Sequence, residues 1–178
     1  VGDRIDVKVK SLPELSETST FLYALQHGYT YKRLYVQEEV LGENYDVYDS
    51  QWVKVHTIYK LLHSESTRHF EYIVITDLDT AFMRPDISLG DKIEEWGGTQ
   101  ASILMPTDPP RNHASYSKYN VVDPETGEKM LIANTGFQIW KNNDISRKYA
   151  EDWYNARDGD CIKYRNDDFR DQSCFNDF

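Results

Sequence analysis

The run Tyr72-Ile-Val-Ile-Thr76 ends abruptly in Asp77-Leu-Asp79, and this junction constrains the fold more than any other stretch. Five β-prone residues without a charge read as a buried strand. On an extended chain, side chains two apart point the same way, so the two carboxylates would share a face. If the strand stops at Thr76, both acids sit at its carboxyl end, where open α/β sheets bind ligands. Two carboxylates held there suit a hard divalent cation and, through it, a pyrophosphate. A second triplet, Asp158-Gly-Asp160, lies in a polar stretch and reads as a solvated turn.

The flanking pattern alternates strands and helices. Ile5, Val7 and Val9 alternate with polar residues as a first strand. Leu15, Leu22 and Leu25 recur at helical spacing over 15–26, and Gly28 stops that helix. The aromatic run 29–36 reads as a second strand. Trp52, Val55, Ile58, Tyr59 and Leu62 form an apolar stripe, predicting a helix over 51–63. A third strand covers 72–76, a short helix 88–96, and a further strand 101–105. The polar stretch 106–129 is long for a loop in a compact domain, and such loops are usually functional. A strand-like run over 130–140 is interrupted by Asn134-Thr-Gly136. Asn143 or Asp144 caps a helix reaching about Ala156, with Ile145, Tyr149 and Trp153 on one face. The alternation predicts an α/β fold with a mainly parallel sheet, and 178 residues suit one domain spanning 1–178.

A formal net charge of −10 argues against nucleic acid, because a polyanion needs a basic face. An acidic chain that handles a nucleotide needs a metal or local basic residues to offset repulsion. Cys161 and Cys174 could pair or both stay reduced; the sequence leaves both open. No apolar segment is long enough to span a bilayer, so a membrane anchor would lie outside this stretch. The abrupt ends at Val1 and Phe178 suggest an excised domain.

Several segments line up in order: Tyr23-Ala-Leu-Gln-His-Gly-Tyr29, Trp52-Val-Lys54, the strand with Asp77-Leu-Asp79, Asn134-Thr-Gly-Phe137, and Asp171-Gln172. In this order the chain resembles the nucleotide-sugar glycosyltransferases with a single Rossmann-like domain, the GT-A fold. It most resembles the galactosyl-, xylosyl- and α-1,6-mannosyltransferase family of fungi and plants, over roughly residues 15–178. The resemblance implies a metal-dependent, retaining transferase that moves a hexose or pentose from a nucleoside-diphosphate sugar to a glycan or other hydroxyl acceptor. It implies Mn²⁺ (or Mg²⁺) held by Asp79 and Asp77, with Asp77 also facing the donor ribose. Lys54, Asn134 and Gly136 would line the donor site, and Asp171 and Gln172 would sit near the anomeric carbon as catalytic residues. Asp108 would touch the acceptor. A further metal ligand is expected beyond Phe178, which makes the domain truncated at its C-terminus. In a eukaryote the expected place is the Golgi lumen, as the soluble part of a type II membrane protein; otherwise it is the cytoplasm.

Two other readings compete. The strand with Asp77-Leu-Asp79 also looks like the first motif of haloacid-dehalogenase-type phosphatases, with Asp77 as nucleophile. That motif normally opens its domain, whereas here two strand–helix units precede it, and the Asn134-Thr-Gly136 and Asp171-Gln172 segments go unexplained. The third reading is a non-catalytic glycosyltransferase-like binding protein.

Overall fold

The structure is a computed structural model and describes residues 11–33, 51–107, 132–166 and 170–177. The chain divides into two compact units: residues 36–75 with 100–178, and residues 1–35 with 76–99.

In the first unit, α2 (Val53–His63) follows a short turn at Gln51–Trp52. Its apolar stripe is buried as expected: Trp52, Val55, Ile58 and Leu62 all lie in the core. β1 (Tyr72–Thr76), β2 (Ile103–Leu104) and β3 (Phe137–Lys141) form a sheet in the order β1-β3-β2. β2 pairs antiparallel with β3, Ile103 opposite Trp140 and Leu104 opposite Ile139. The Asn142 N–H donates to the Glu71 carbonyl at 2.8 Å, setting the start of β1 against the end of β3, also antiparallel. The described strands therefore do not form the mainly parallel sheet that the alternating pattern predicts. β1 and β2 run the same way, but β3 lies between them in the opposite sense. The reason is the order of pairing: the last strand in sequence inserts between two earlier ones, and the periodicity of single segments carries no information about that.

The core lies where β3 meets α2 and α4 (Asp144–Ala156). Trp140 stacks on Trp153 of α4, ring centroids 6.2 Å apart. Tyr59 of α2 stacks on Tyr154 of α4 at 4.6 Å. The buried face of α4 is Ser146, Ala150, Trp153 and Ala156. Ile145, expected on that face, is 67% exposed, because Asn143 caps α4 and turns Ser146 inward. There the Ser146 hydroxyl donates to the Ser102 carbonyl at 2.9 Å. Asn142 fixes the loop before β1 through its side-chain amide, which donates to the Thr67 and Phe70 carbonyls at 3.0 and 3.1 Å. His56 is half-buried against Tyr154, not a surface residue; burial, then Lys60 and Arg157, lowers its pKa. Cys161 and Cys174 are joined by a disulfide, which ties the 3₁₀ turn Asp160–Tyr164 to α5 (Arg170–Phe175).

In the second unit, α1 (Leu12–His27) starts at Ser11, whose hydroxyl caps Glu14, and stops at Gly28 with φ 69°. Leu15, Leu22 and Leu25, expected to face a core, are 45%, 45% and 67% exposed. The buried residues are Ser16, Tyr23 and Ala24; Ser16 and Tyr23 face the segment 80–87. Burial and the neighbouring Tyr29 push the Tyr23 phenol up to about 12. α3 (Leu89–Glu95) begins at the Ser88 cap and ends before Gly97. Residues 29–33, expected as a strand, carry no strand pairing. The strand expected around Ile5, Val7 and Val9 lies outside the described residues. No helix among the described residues is long and apolar enough to cross a membrane.

Closing the 13-residue separation between Cys161 and Cys174 is worth about 3 kcal/mol by loop-closure entropy. The double substitution Cys161→Ser with Cys174→Ser is therefore expected to lower unfolding stability by about that amount, measured by urea denaturation. The wild type treated with a reductant should fall by the same step.

Candidate functional site

The residues singled out by sequence fall into two groups, one in each unit, and each is described by itself.

Asp77 follows directly on Thr76, the last residue of β1. The chain then turns: the Thr80 N–H donates to the Asp77 carbonyl at 3.2 Å. Asp77 is half-buried, Leu78 is 62% exposed, and Asp79 is exposed. The strand end is where the sequence puts it, but Asp79 sits in the turn, so strand parity does not orient it. As ligands, Asp77 and Asp79 would offer only carboxylate oxygens, which suit Mg²⁺ or Mn²⁺ rather than zinc. Among the described residues, no group of three or more His, Cys, Asp or Glu side chains is arranged to hold a metal. A hard cation commonly takes one or two carboxylates and completes its shell with phosphate oxygens and water, and two acids fit that pattern.

The other group is a buried polar network. Asp171 lies in the first turn of α5, with its side chain 5% exposed. Lys54 Nζ from α2 lies 3.5 Å from Asp171 Oδ2, and Thr135 Oγ1 donates to that oxygen at 2.9 Å. Lys54 also donates to the Thr135 carbonyl at 3.4 Å. The Thr135 N–H donates to Gln172 Oε1 at 3.3 Å. Gln138, fully buried on β3, donates to the same Thr135 carbonyl at 2.6 Å and accepts from Trp140 Nε1 at 2.8 Å. Thr135 thus contacts both members of the Asp171-Gln172 pair.

A bulge delivers Thr135 to this place. Ile139 faces Leu104, and Ala133 faces Thr107. Six steps along one chain, 139 to 133, oppose three along the other, 104 to 107, so the chain bulges around Thr135 and Gly136, while the Asn134 N–H still donates across to the Pro106 carbonyl at 2.8 Å. Asn134 Oδ1 accepts from the Gly136 N–H at 2.8 Å, an Asx turn that holds the bulge. Asn176 ties it to α5: its amide donates to the Ala133 and Gln172 carbonyls at 3.0 and 2.8 Å and accepts from the Ala133 N–H at 2.8 Å.

Of the expected donor-site residues, Lys54 and the Asn134–Gly136 turn come together with Asp171 and Gln172 in this one unit. Asp108 lies outside the described residues. Sequence reasoning missed Thr135, Gln138 and Asn176. Gln138 carried a signal, a polar residue inside the apolar run Phe137-Gln-Ile-Trp140, where a buried amide needs partners.

A family model described as nucleotide-diphospho-sugar transferase matches residues 16–178. The chain belongs to this family, and the phosphatase reading of Asp77 is set aside. It is a glycosyltransferase that uses a nucleotide-sugar donor. No curated protein and no solved structure matches the chain.

Replacing Thr135 by Val keeps the shape but removes the hydroxyl that donates to Asp171. It is expected to destabilise by about 1–3 kcal/mol, because a buried carboxylate loses a donor. Thr135→Ser should retain most of that stability. Lys54→Met should cost about 3 kcal/mol, since it removes the ammonium 3.5 Å from a buried carboxylate. Urea denaturation reads all three; a null result for both Thr135→Val and Lys54→Met would exclude the network as described.

Proposed function

We propose that this chain is the catalytic domain of a metal-dependent, retaining glycosyltransferase. It moves a hexose or pentose from a nucleoside-diphosphate sugar to a glycan or other hydroxyl acceptor. The observation that carries the reading is the carboxylate pair Asp77 and Asp79 in the turn leaving β1, in a chain whose family handles nucleoside-diphosphate sugars. The order of the motifs from Tyr23 to Gln172 favours the galactosyl-, xylosyl- and α-1,6-mannosyltransferase branch and a Rossmann-like GT-A domain. UDP-galactose, UDP-xylose, UDP-glucose and GDP-mannose are the donors to test. The disulfide between Cys161 and Cys174 favours an oxidising compartment such as the Golgi lumen.

Breaking a sugar–phosphate bond puts negative charge on the departing diphosphate. Asp77 and Asp79 would hold Mn²⁺ or Mg²⁺, which neutralises that charge as a Lewis acid. Gln172 is the residue assigned to the anomeric centre. An amide is too poor a nucleophile for double displacement, so it would act by stabilising an oxocarbenium-like ion pair. The acceptor hydroxyl would then be deprotonated by the departing phosphate on the same face. Asp171 is assigned to orient Gln172: its carboxylate is occupied by Lys54 and Thr135, and Thr135 in turn donates to the Gln172 side chain. Lys54 would act mainly by balancing Asp171, and Asn134 and Gly136 would border the donor sugar.

Thermal-shift measurements with UDP and GDP should show stabilisation that needs Mn²⁺. Asp79→Ala should abolish that shift while the chain still melts cooperatively. A Mn²⁺-dependent shift retained in Asp79→Ala would remove Asp79 from the site. No shift with either nucleotide would overturn the metal-dependent donor reading. Once a donor is identified, Gln172→Ala should lower kcat by far more than it raises KM; a loss confined to KM would make Gln172 a binding residue.

A further inference from the structure

The segment that follows the acid pair, residues 81–87, belongs to no helix or strand, so its backbone has no ladder of its own. The Ile87 N–H donates to the Arg84 carbonyl within the segment, and four further main-chain groups, of Phe82, Pro85 and Ile87, are met by one face of α1. Ser16, Ser19, Tyr23, Gln26 and His27 recur at helical spacing along that face. The Ser16 hydroxyl donates to the carbonyl of Thr80, the residue directly after Asp79. Ser19 Oγ accepts from the Phe82 N–H at 2.9 Å and donates to the Phe82 carbonyl at 3.3 Å. The Tyr23 ring stacks on Phe82 at 4.0 Å, and its hydroxyl donates to the Ile87 carbonyl at 2.8 Å. Gln26 and His27 both reach the Pro85 carbonyl, at 2.9 and 2.8 Å.

We propose that this face of α1 is the template that fixes the Asp77–Thr80 turn, with Ser16 and Ser19 as positioning residues for the cation held by Asp77 and Asp79. The inference rests on the metal reading given above. The Asp77 carbonyl accepts from the Thr80 N–H, so Thr80 closes the turn that presents both carboxylates. Ser16, 2% exposed, pins the main-chain carbonyl of the same residue. Releasing Thr80 loosens the closing residue of the turn, and Asp79 loses its fixed place. A small hard cation tolerates little error in its ligands, so affinity falls when the turn is loose. The exposed leucines of α1 fit this role: its inward face meets backbone groups through Ser16, Ser19 and Tyr23, with the Tyr23–Phe82 stack beside them.

The test is Mn²⁺ binding to the full chain in the presence of UDP or GDP, with free Mn²⁺ counted by electron paramagnetic resonance. Ser16→Ala and Ser19→Ala should each raise the Mn²⁺ Kd about fivefold, the equivalent of one hydrogen bond, with the chain still folded by circular dichroism. Ser19→Thr restores the hydroxyl and should restore the wild-type Kd. Leu25→Ala, on the same helix but 67% exposed, should leave the Kd unchanged. If Asp79→Ala abolishes Mn²⁺ binding while both serine variants stay within twofold of wild type, the template role is overturned and the metal reading stands. If Asp79→Ala binds Mn²⁺ like wild type, or the wild type takes up none, the metal reading falls and takes the template with it.

Discussion

A carboxylate buried on α5 sets the terms for its whole unit. Taking Asp171 out of water costs several kcal/mol unless charge and donors meet it. Two other elements contribute to that compensation: Lys54 from α2 and Thr135 from the bulge before β3. Neither can reach Asp171 unless α2, the bulge and α5 are all in their final places. A loose pair would therefore leave a stranded charge, so the interaction specifies the arrangement more than it adds net stability. The network continues inward through Gln138 to the indole of Trp140, which stacks on Trp153 in the apolar core. Polar cluster and apolar core are thus one connected structure, with Thr135 at the junction. Asn176 and the disulfide act on the same short helix, which at six residues has too few internal hydrogen bonds to hold itself.

The other unit solves a different problem. Among the described residues, its segment 81–87 belongs to no strand pairing, so its backbone groups look to side chains for partners. Serine, tyrosine, glutamine and histidine side chains on α1 supply them, which requires a helix face with hydroxyls and amides where leucines would normally stand. This accounts for the outward leucines better than any packing argument, since the polar stripe and the leucine stripe lie on different faces of one helix.

The sequence was legible where periodicity and burial coincide. The stripe of α2, the strand ending at Thr76, the cap at Asn143 and the stop at Gly28 can all be read from residue types and spacing. It misled where apolar periodicity was taken as burial, as with Leu15, Leu22, Leu25 and Ile145. Beside Leu15 and Ile145 a serine took the inward position because main-chain groups nearby needed a partner: Ser16 met the Thr80 carbonyl, and Ser146 met the Ser102 carbonyl. Sheet order could not be read at all, because it depends on which strands meet and not on any one strand. The same holds for Thr135, whose neighbours Asn134 and Gly136 drew attention as ligand-lining types. Its own importance comes from a register change between residues 104–107 and 133–139.

The burial of Asp171 also bears on which chemistry the site can support. A carboxylate that attacks an anomeric carbon must be able to approach it and form a bond. Asp171 is 5% exposed at its side chain, and one oxygen is already met by an ammonium and a hydroxyl. Such a group is oriented and charge-balanced rather than poised as a nucleophile. Gln172, next in sequence, is buried at 8% exposure with its carbonyl oxygen accepting from the Thr135 N–H, and its amide makes a poor covalent partner. With neither residue suited to a glycosyl-enzyme bond, a retaining outcome is best served by departure and attack on one face. The carboxylate's contribution would then be to hold Gln172 still while charge builds and decays beside it.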